Sequence, residues 1–210
     1  MDEVFVIAIV DYGMGNCGSI RSMLRYLGAE SIVVDNPDQL ENASAIILPG
    51  VGSFEHGASK LNLFRSALDM RVLHDKVPFM GICLGMQLLF ETSEEGGMKG
   101  LGWINGRVKR FDFQGVSLDR KLVVPHMGWN ELNVSKKNPL FVNTEIKDRF
   151  YFVHSFHASD VPAENIIGSC HYGYDFTCAV QRENILGVQF HPEKSHRFGK
   201  QIFRNFIELI

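Results

Sequence analysis

The 210-residue chain lacks several things that would assign it to a class at once. It has only four cysteines, no CxxC pair, no run of like charge, no low-complexity tract and no internal repeat. Cys17, Cys83, Cys170 and Cys178 are too sparse for a disulfide framework, and without CxxC spacing they make no zinc site, so reduced thiols and no bound metal are expected. The most apolar stretch, Val4 to Val10, follows two acidic residues and falls far short of the roughly 20 residues a membrane span needs. No basic segment or small-residue cleavage site precedes it, so the expectation is a cytoplasmic protein without a membrane partner. A net charge of -3 leaves no basic footprint for nucleic acid. With 45% apolar and 21% charged residues, the chain has the material for one well-filled core, and no Pro, Gly or Ser linker divides it. One domain over residues 1–210 is expected.

The first half alternates strand and helix signals, the pattern of a parallel sheet with crossover helices. Val4 to Val10 reads as a strand. Ile20, Met23, Leu24 and Leu27 follow at helical spacing, with Gly28 as the stop. Ser31 to Val34 and Ala45 to Leu48 are further strands, and Leu61, Phe64, Leu68 and Val72 mark a helix stripe. Val77 to Ile82 is a buried strand, and Leu84 to Phe90 starts the helix after it. Beyond Gly100 short strands take over: Trp103 to Arg110, Gly128 to Val134, Phe150 to Ser155 and Ile185 to Phe190. They read as added, partly antiparallel strands. A closing helix carries Phe198, Ile202, Phe203 and Phe206.

Gly81-Ile82-Cys83-Leu84-Gly85 falls where a buried strand turns into a helix. That is the nucleophile elbow, whose glycines clear a strained turn and whose central residue points out at the sheet's carboxyl edge. A helix N-terminus there favours a thiolate. The pentapeptide is equally compatible with a cysteine packed as a small hydrophobe. Gly187 to Glu193 ends a strand in His191-Pro192-Glu193, and residues i and i+2 of an extended chain share a side, so Glu193 can orient His191 as a general base for a distant thiol. Taken alone it is an ordinary polar strand end. Pro49-Gly50-Val51-Gly52 follows another strand, and its backbone N–H groups suit an oxyanion hole near Cys83 as well as a tight turn.

A motif of a different class competes. Gly13-Met14-Gly15-Asn16-Cys17-Gly18 follows the first strand and Asp35 ends the second, the arrangement of a dinucleotide site. Asp11 and Tyr12 intervene before the first glycine, and nothing else in the chain supplies a hydride-transfer site. His154 and His157, with Cys170-His171, lack further ligands at zinc spacing and read as structural or surface residues. Trp129, beside Gly128 in a polar loop, reads as a core plug or an interface anchor.

Together these segments resemble the class I, triad-type glutamine amidotransferases. Asp11 to Asn16, Pro49 to Gly52, Gly81 to Gln87, Pro125 to Asn130, Tyr151 to Ser155 and Gly187 to Ser195 occur in that family's order and cover nearly the whole chain. The resemblance implies an α/β fold with a central, largely parallel sheet flanked by helices. It implies L-glutamine as substrate and no cofactor, with Cys83, His191 and Glu193 catalytic and Gly50, Val51, Gly52 and Leu84 around the oxyanion. Gln87, Glu95, Ser155 and Phe156 match the substrate pocket. Asn16, Trp129, Asn130 and Lys194 match a surface that docks a (β/α)8-barrel synthase subunit in a heterodimer. By the same resemblance the Asp11 to Asn16 loop lies near that partner and binds no nucleotide. The nearest branch supplies ammonia to a cyclase of histidine biosynthesis. The alternative branch, to which Asp175-Phe176-Thr177 and Lys194-Ser195-His196 are similar, feeds sugar amidation in surface polysaccharides. Two features depart from the pattern: Phe156 stands where tyrosine is commoner, and Ser53 to Gly57 is an unusual continuation of the glycine loop.

Overall fold

The structure, a computed structural model, describes residues 5–116, 122–144 and 148–210. In chain order its strands are β1 (Val6–Val10), β2 (Glu30–Val34), β3 (Ala45–Gly50), β4 (Phe79–Cys83), β5 (Thr92–Ser93), β6 (Arg107–Arg110), β7 (His126–Glu131), β8 (Asn133–Val134), β9 (Arg149–His154), β10 (Phe156–Ser159), β11 (Ile166–Tyr172), β12 (Tyr174–Arg182) and β13 (Ile185–Val188). The α-helices are α1 (Cys17–Tyr26), α2 (Phe54–Leu61), α3 (Arg65–Leu68), α4 (Leu84–Gln87) and α5 (His196–Ile207). Val4, placed in the first strand by sequence, lies outside the described residues.

The large sheet runs β2-β1-β3-β4-β13-β12-β10-β6-β5, with β11 paired to β12 and β8. Its first five strands are parallel, and antiparallel pairing begins between β13 and β12. The expectation of a parallel sheet extended by antiparallel strands is therefore met. A separate antiparallel pair, β7 and β9, lies over one face.

Both faces of the parallel part are covered, which is why its strands read as apolar runs. Along β1, Ala8 and Val10 face one layer and Ile7 and Ile9 the other. The first layer contains Phe54, Leu61, Phe64, Leu68 and Val72; the second contains Ile20 and Leu24 of α1, Phe203 and Phe206 of α5, and Phe150 and Phe152 of β9. Each side chain of this kind, fully buried, contributes about 1.5–3 kcal/mol relative to exposure. The β7/β9 pair is thus fixed to the sheet through β9.

Three elements differ from their sequence expectation. The Leu61 to Val72 stripe is buried, but the segment is α2, a 3₁₀ turn (Asn62–Phe64), α3 and a π turn (Asp69–His74) rather than one helix. The helix expected over Leu84 to Phe90 stops at Gln87, because the returning loop takes its carbonyls: Leu101 N–H donates to Leu88 O at 2.7 Å and Trp103 N–H to Leu89 O at 2.9 Å. The same contact explains why Trp103 is not in a strand. It is buried edge-on against Phe79 of β4, with ring centroids 5.2 Å apart, and its Nε1–H donates to Asp69 at 2.8 Å.

Candidate active site

Cys83 ends β4, in register with Gly50 at the end of the neighbouring β3. Its backbone sits at φ 55° and ψ -108°, a region that costs a non-glycine residue about 1–3 kcal/mol. The surrounding glycines make that turn possible. A Cβ on Gly85 would lie 1.9 Å from the Leu48 carbonyl oxygen, and one on Gly81 would lie 2.5 Å from the Gly85 oxygen. Gly85→Ala must therefore push the backbone of α4 away from that of β3. It is expected to destabilise the fold by about 1–3 kcal/mol or more, read as a lower urea midpoint.

His191 and Glu193 follow β13, which pairs with β4 on its other side. Strand alternation does not bring the two together, contrary to the sequence reading. His191 is extended, but Pro192–Lys194 form a 3₁₀ turn started by the proline, and this turn folds the carboxylate back onto the ring. His191 Nδ1 lies 2.8 Å from Glu193 Oε1, and the side chains are only 2% and 3% exposed. The backbone of His191 is tied to β9: its N–H donates to Tyr151 O at 2.9 Å, while Ser195 Oγ donates to His191 O at 2.7 Å and accepts from Tyr151 N–H at 3.0 Å. Nε2 is buried, with no close hydrogen-bond partner among the described residues. Burial opposes the imidazolium, but charge on Cys83 and contacts with Cys83 and Glu193 outweigh it and raise the His191 pKa to about 10. The ring is thus favoured as a cation beside the sulfur.

Cys83 and His191 line a cavity of about 300 Å³ with Val51, Gly52, Leu84, Gln87, Glu95, Ser155 and Phe156. Larger grooves exist beside Leu132 to Thr144 and beside Glu94 to Asp112, but neither is lined by a cysteine. Glu95 accepts from the Phe54 N–H at 2.8 Å, where α2 begins, which places its carboxylate at a favourable helix end. Gln87 Nε2 donates to Phe156 O at 3.0 Å and to Gln189 Oε1 at 3.1 Å, and Gln189 Nε2 donates to Cys83 Sγ at 3.7 Å. Gln189, just after β13, is fully buried, and a lone polar residue in the apolar run from Ile185 to Phe190 is the signal in the sequence that marks it.

The oxyanion candidates are only partly arranged for that role. Leu84 opens α4, so its N–H has no partner within the helix. Val51 N–H, however, donates to Met14 O at 2.6 Å and is therefore occupied.

The candidate docking residues divide between two faces. Trp129 is 45% exposed, stacks on His196 with ring centroids 5.4 Å apart, and stands near Tyr151, over which Lys194 lies. Asn16 is exposed and caps α1 through Ser19 N–H. Asn130 instead turns inward, its amide donating to His171 O at 2.8 Å and contacting His126 at 3.3 Å. His126 and His154 are buried neighbours. Burial pushes the His126 pKa down to about 4 and holds His154 well below its usual value. An unfolded His titrates near about 6.5. Between about pH 6.5 and 4 the unfolded chain therefore binds protons that the folded chain refuses, so this contribution to stability is complete above that window and lost as pH falls through it. Urea midpoints should fall from pH 7 to pH 5, and His126→Gln should flatten that dependence.

A family model described as glutamine amidotransferase class-I matches residues 8–209, and the chain belongs to that family. It is a glutamine amidotransferase by that membership. It is 46% identical, over 97% of its length and 99% of the relative's, to a protein of Methanococcus maripaludis named imidazole glycerol phosphate synthase subunit HisH 2. A protein of Pseudomonas aeruginosa with the same name is 44% identical over 98% of this chain and all of its own length. Among solved structures, a chain of PurLQS from Thermotoga maritima shares the fold with a TM-score of 0.75 at 21% identity, covering 98% of both chains. Among the described residues no helix is long and apolar enough to cross a membrane.

Proposed function

We propose that this chain is the glutaminase subunit of an imidazole glycerol phosphate synthase. The observation that carries the chemistry is Cys83 on a strained elbow, in one cavity with a His191 already oriented by Glu193. The thiolate of Cys83 attacks the side-chain amide carbon of glutamine, and the oxyanion that forms is held by the backbone N–H of Leu84, joined by that of Val51 once its bond to Met14 O is broken. The cationic His191 gives its proton to the leaving nitrogen, so the C–N bond breaks and ammonia departs. Neutral His191 then takes a proton from water, which attacks the thioester; the C–S bond breaks, and glutamate leaves. Gln87, Glu95, Ser155 and Phe156 hold the α-amino and α-carboxylate end of the substrate.

Protonated ammonia is no nucleophile, so release into water would waste it. The reading therefore includes a (β/α)8-barrel cyclase docked on the face carrying Asn16, Trp129 and Lys194, with residues 1–210 acting as one domain. Four free, buried thiols fit the cytoplasm. The test supplies glutamine and the phosphoribulosyl-formimino aminoimidazole carboxamide nucleotide to the chain plus cyclase. Imidazole glycerol phosphate should form with glutamine as the nitrogen source. Glutamate release only with a sugar-amidating synthase would move the chain to the polysaccharide branch, and none with either partner would overturn the reading.

A further inference from the structure

Two buried histidines have no place in the chemistry above, yet they touch it. His126 on β7 and His154 on β9 are cross-strand partners in register, 3% and 6% exposed, with His126 Nδ1 lying 3.1 Å from His154 Nε2. His154 Nδ1 lies 2.8 Å from Phe156 O, and Asn130 Nδ2 lies 3.3 Å from His126 Nε2. A carbonyl oxygen only accepts, and this fixes every proton in the series. His154 must carry its proton on Nδ1, which leaves Nε2 as an acceptor. His126 must then donate from Nδ1, which leaves its own Nε2 to accept from the Asn130 amide. Both rings are neutral and both are Nδ1–H tautomers, in keeping with burial that disfavours either cation.

Phe156 O is also where the series meets the catalytic side. It accepts from Gln87 Nε2, whose second hydrogen goes to Gln189 Oε1, and Gln189 Nε2 donates to Cys83 Sγ. Six hydrogen bonds therefore connect Asn130, beside the exposed Trp129, to the sulfur.

We infer that His126 and His154 are positioning residues for glutamine hydrolysis: their directed hydrogen bonds fix the Phe156 carbonyl, and through it the Gln87–Gln189 pair that orients the Cys83 sulfur. The inference rests on the glutaminase reading for its kinetic consequence but not for its geometry. A cation on either ring would place two donors face to face, so the series carries one arrangement only. It also ties the sulfur to β7, the strand that presents Trp129 on its opposite face.

Two measurements test it on the full chain. Two-bond proton–nitrogen correlation spectra of the imidazole rings at pH 7 should show His126 and His154 neutral and protonated on Nδ1; an Nε2–H tautomer or a cation at either ring would overturn the assignment whatever the enzyme does. The second uses a matched pair at His154, measured with the partner synthase bound. His154→Asn keeps a donor where Nδ1–H stood, whereas His154→Leu has the same shape without it. Leucine should lower kcat/KM for glutamate release about tenfold below asparagine, the size of one net hydrogen bond. Equal values would mean that the ring serves packing alone. If the wild-type complex releases no glutamate, the glutaminase reading fails while the tautomer result stands by itself.

Discussion

Cys83→Ala is expected to lower glutamate turnover by at least about three orders of magnitude, the loss that generally follows removal of a nucleophile acting in concert with its base. The reason lies in how the four thiols differ. All four are buried, but Sγ of Cys17 contacts Val10 O, and that of Cys170 contacts Glu131 O. Burial raises the Cys17 pKa to about 11 and pushes Cys178 well above its usual value. Of the four, only Cys83 lines the cavity that also holds His191. A glutamine-like diazo-ketone should therefore alkylate wild-type chain once, at Cys83, as peptide mass mapping would show. Labelling at another cysteine, or an alanine variant that keeps most of its turnover, would remove Cys83 from the mechanism.

Docking of a ligand-bound synthase is expected to raise kcat for glutamate release by roughly 100-fold or more. One oxyanion donor is worth about 2.7–4 kcal/mol, and the structure holds one such donor away from the site. Val51 N–H is bonded to Met14 O at 2.6 Å, so a tetrahedral oxyanion here would lack the Val51 amide. Rotation of the Gly50–Val51 peptide would break the Met14 bond and turn the N–H inward. Gly50 and Gly52 flank Val51, and glycine accepts such a change at small conformational cost. Met14 belongs to the Asp11 to Asn16 loop, next to Asn16 on the proposed docking face, which gives a partner a short route to that bond. Because the gain is in the transition state, it should raise kcat more than it changes KM. Steady-state rates for the chain alone, with synthase, and with synthase plus nucleotide decide the matter. Equal kcat in all three would rule out the gate and leave the triad untouched.

Much of the parallel sheet was legible because buried parallel strands are apolar on both faces and each ends at a Gly or Pro breaker. The elbow was legible for a related reason: a strained strand-to-helix turn tolerates few residues, so its glycines are visible in a five-residue window. The helix after it was overestimated because the carbonyls of Leu88 and Leu89 are taken by a loop more than ten residues later, which no local periodicity reports. Asn130 and Trp129 came as a pair from sequence but face opposite sides of β7, a division that follows from strand alternation once the strand's limits are known.

By itself the sequence determined the chemistry available: one thiol at an elbow, one histidine with a glutamate two residues on, and a glycine loop beyond a strand. Those are local facts, set by residue type and backbone strain within a few positions. Tertiary structure decided which groups meet and in what state. Gln189 reaches Cys83 across 106 positions, and Tyr151 holds Ser195 across 44, and neither contact leaves a trace in local spacing. The direction of the Val51 amide was decided there too, because Pro49-Gly50-Val51-Gly52 is compatible with either peptide orientation and only the Met14 carbonyl beside it selects one.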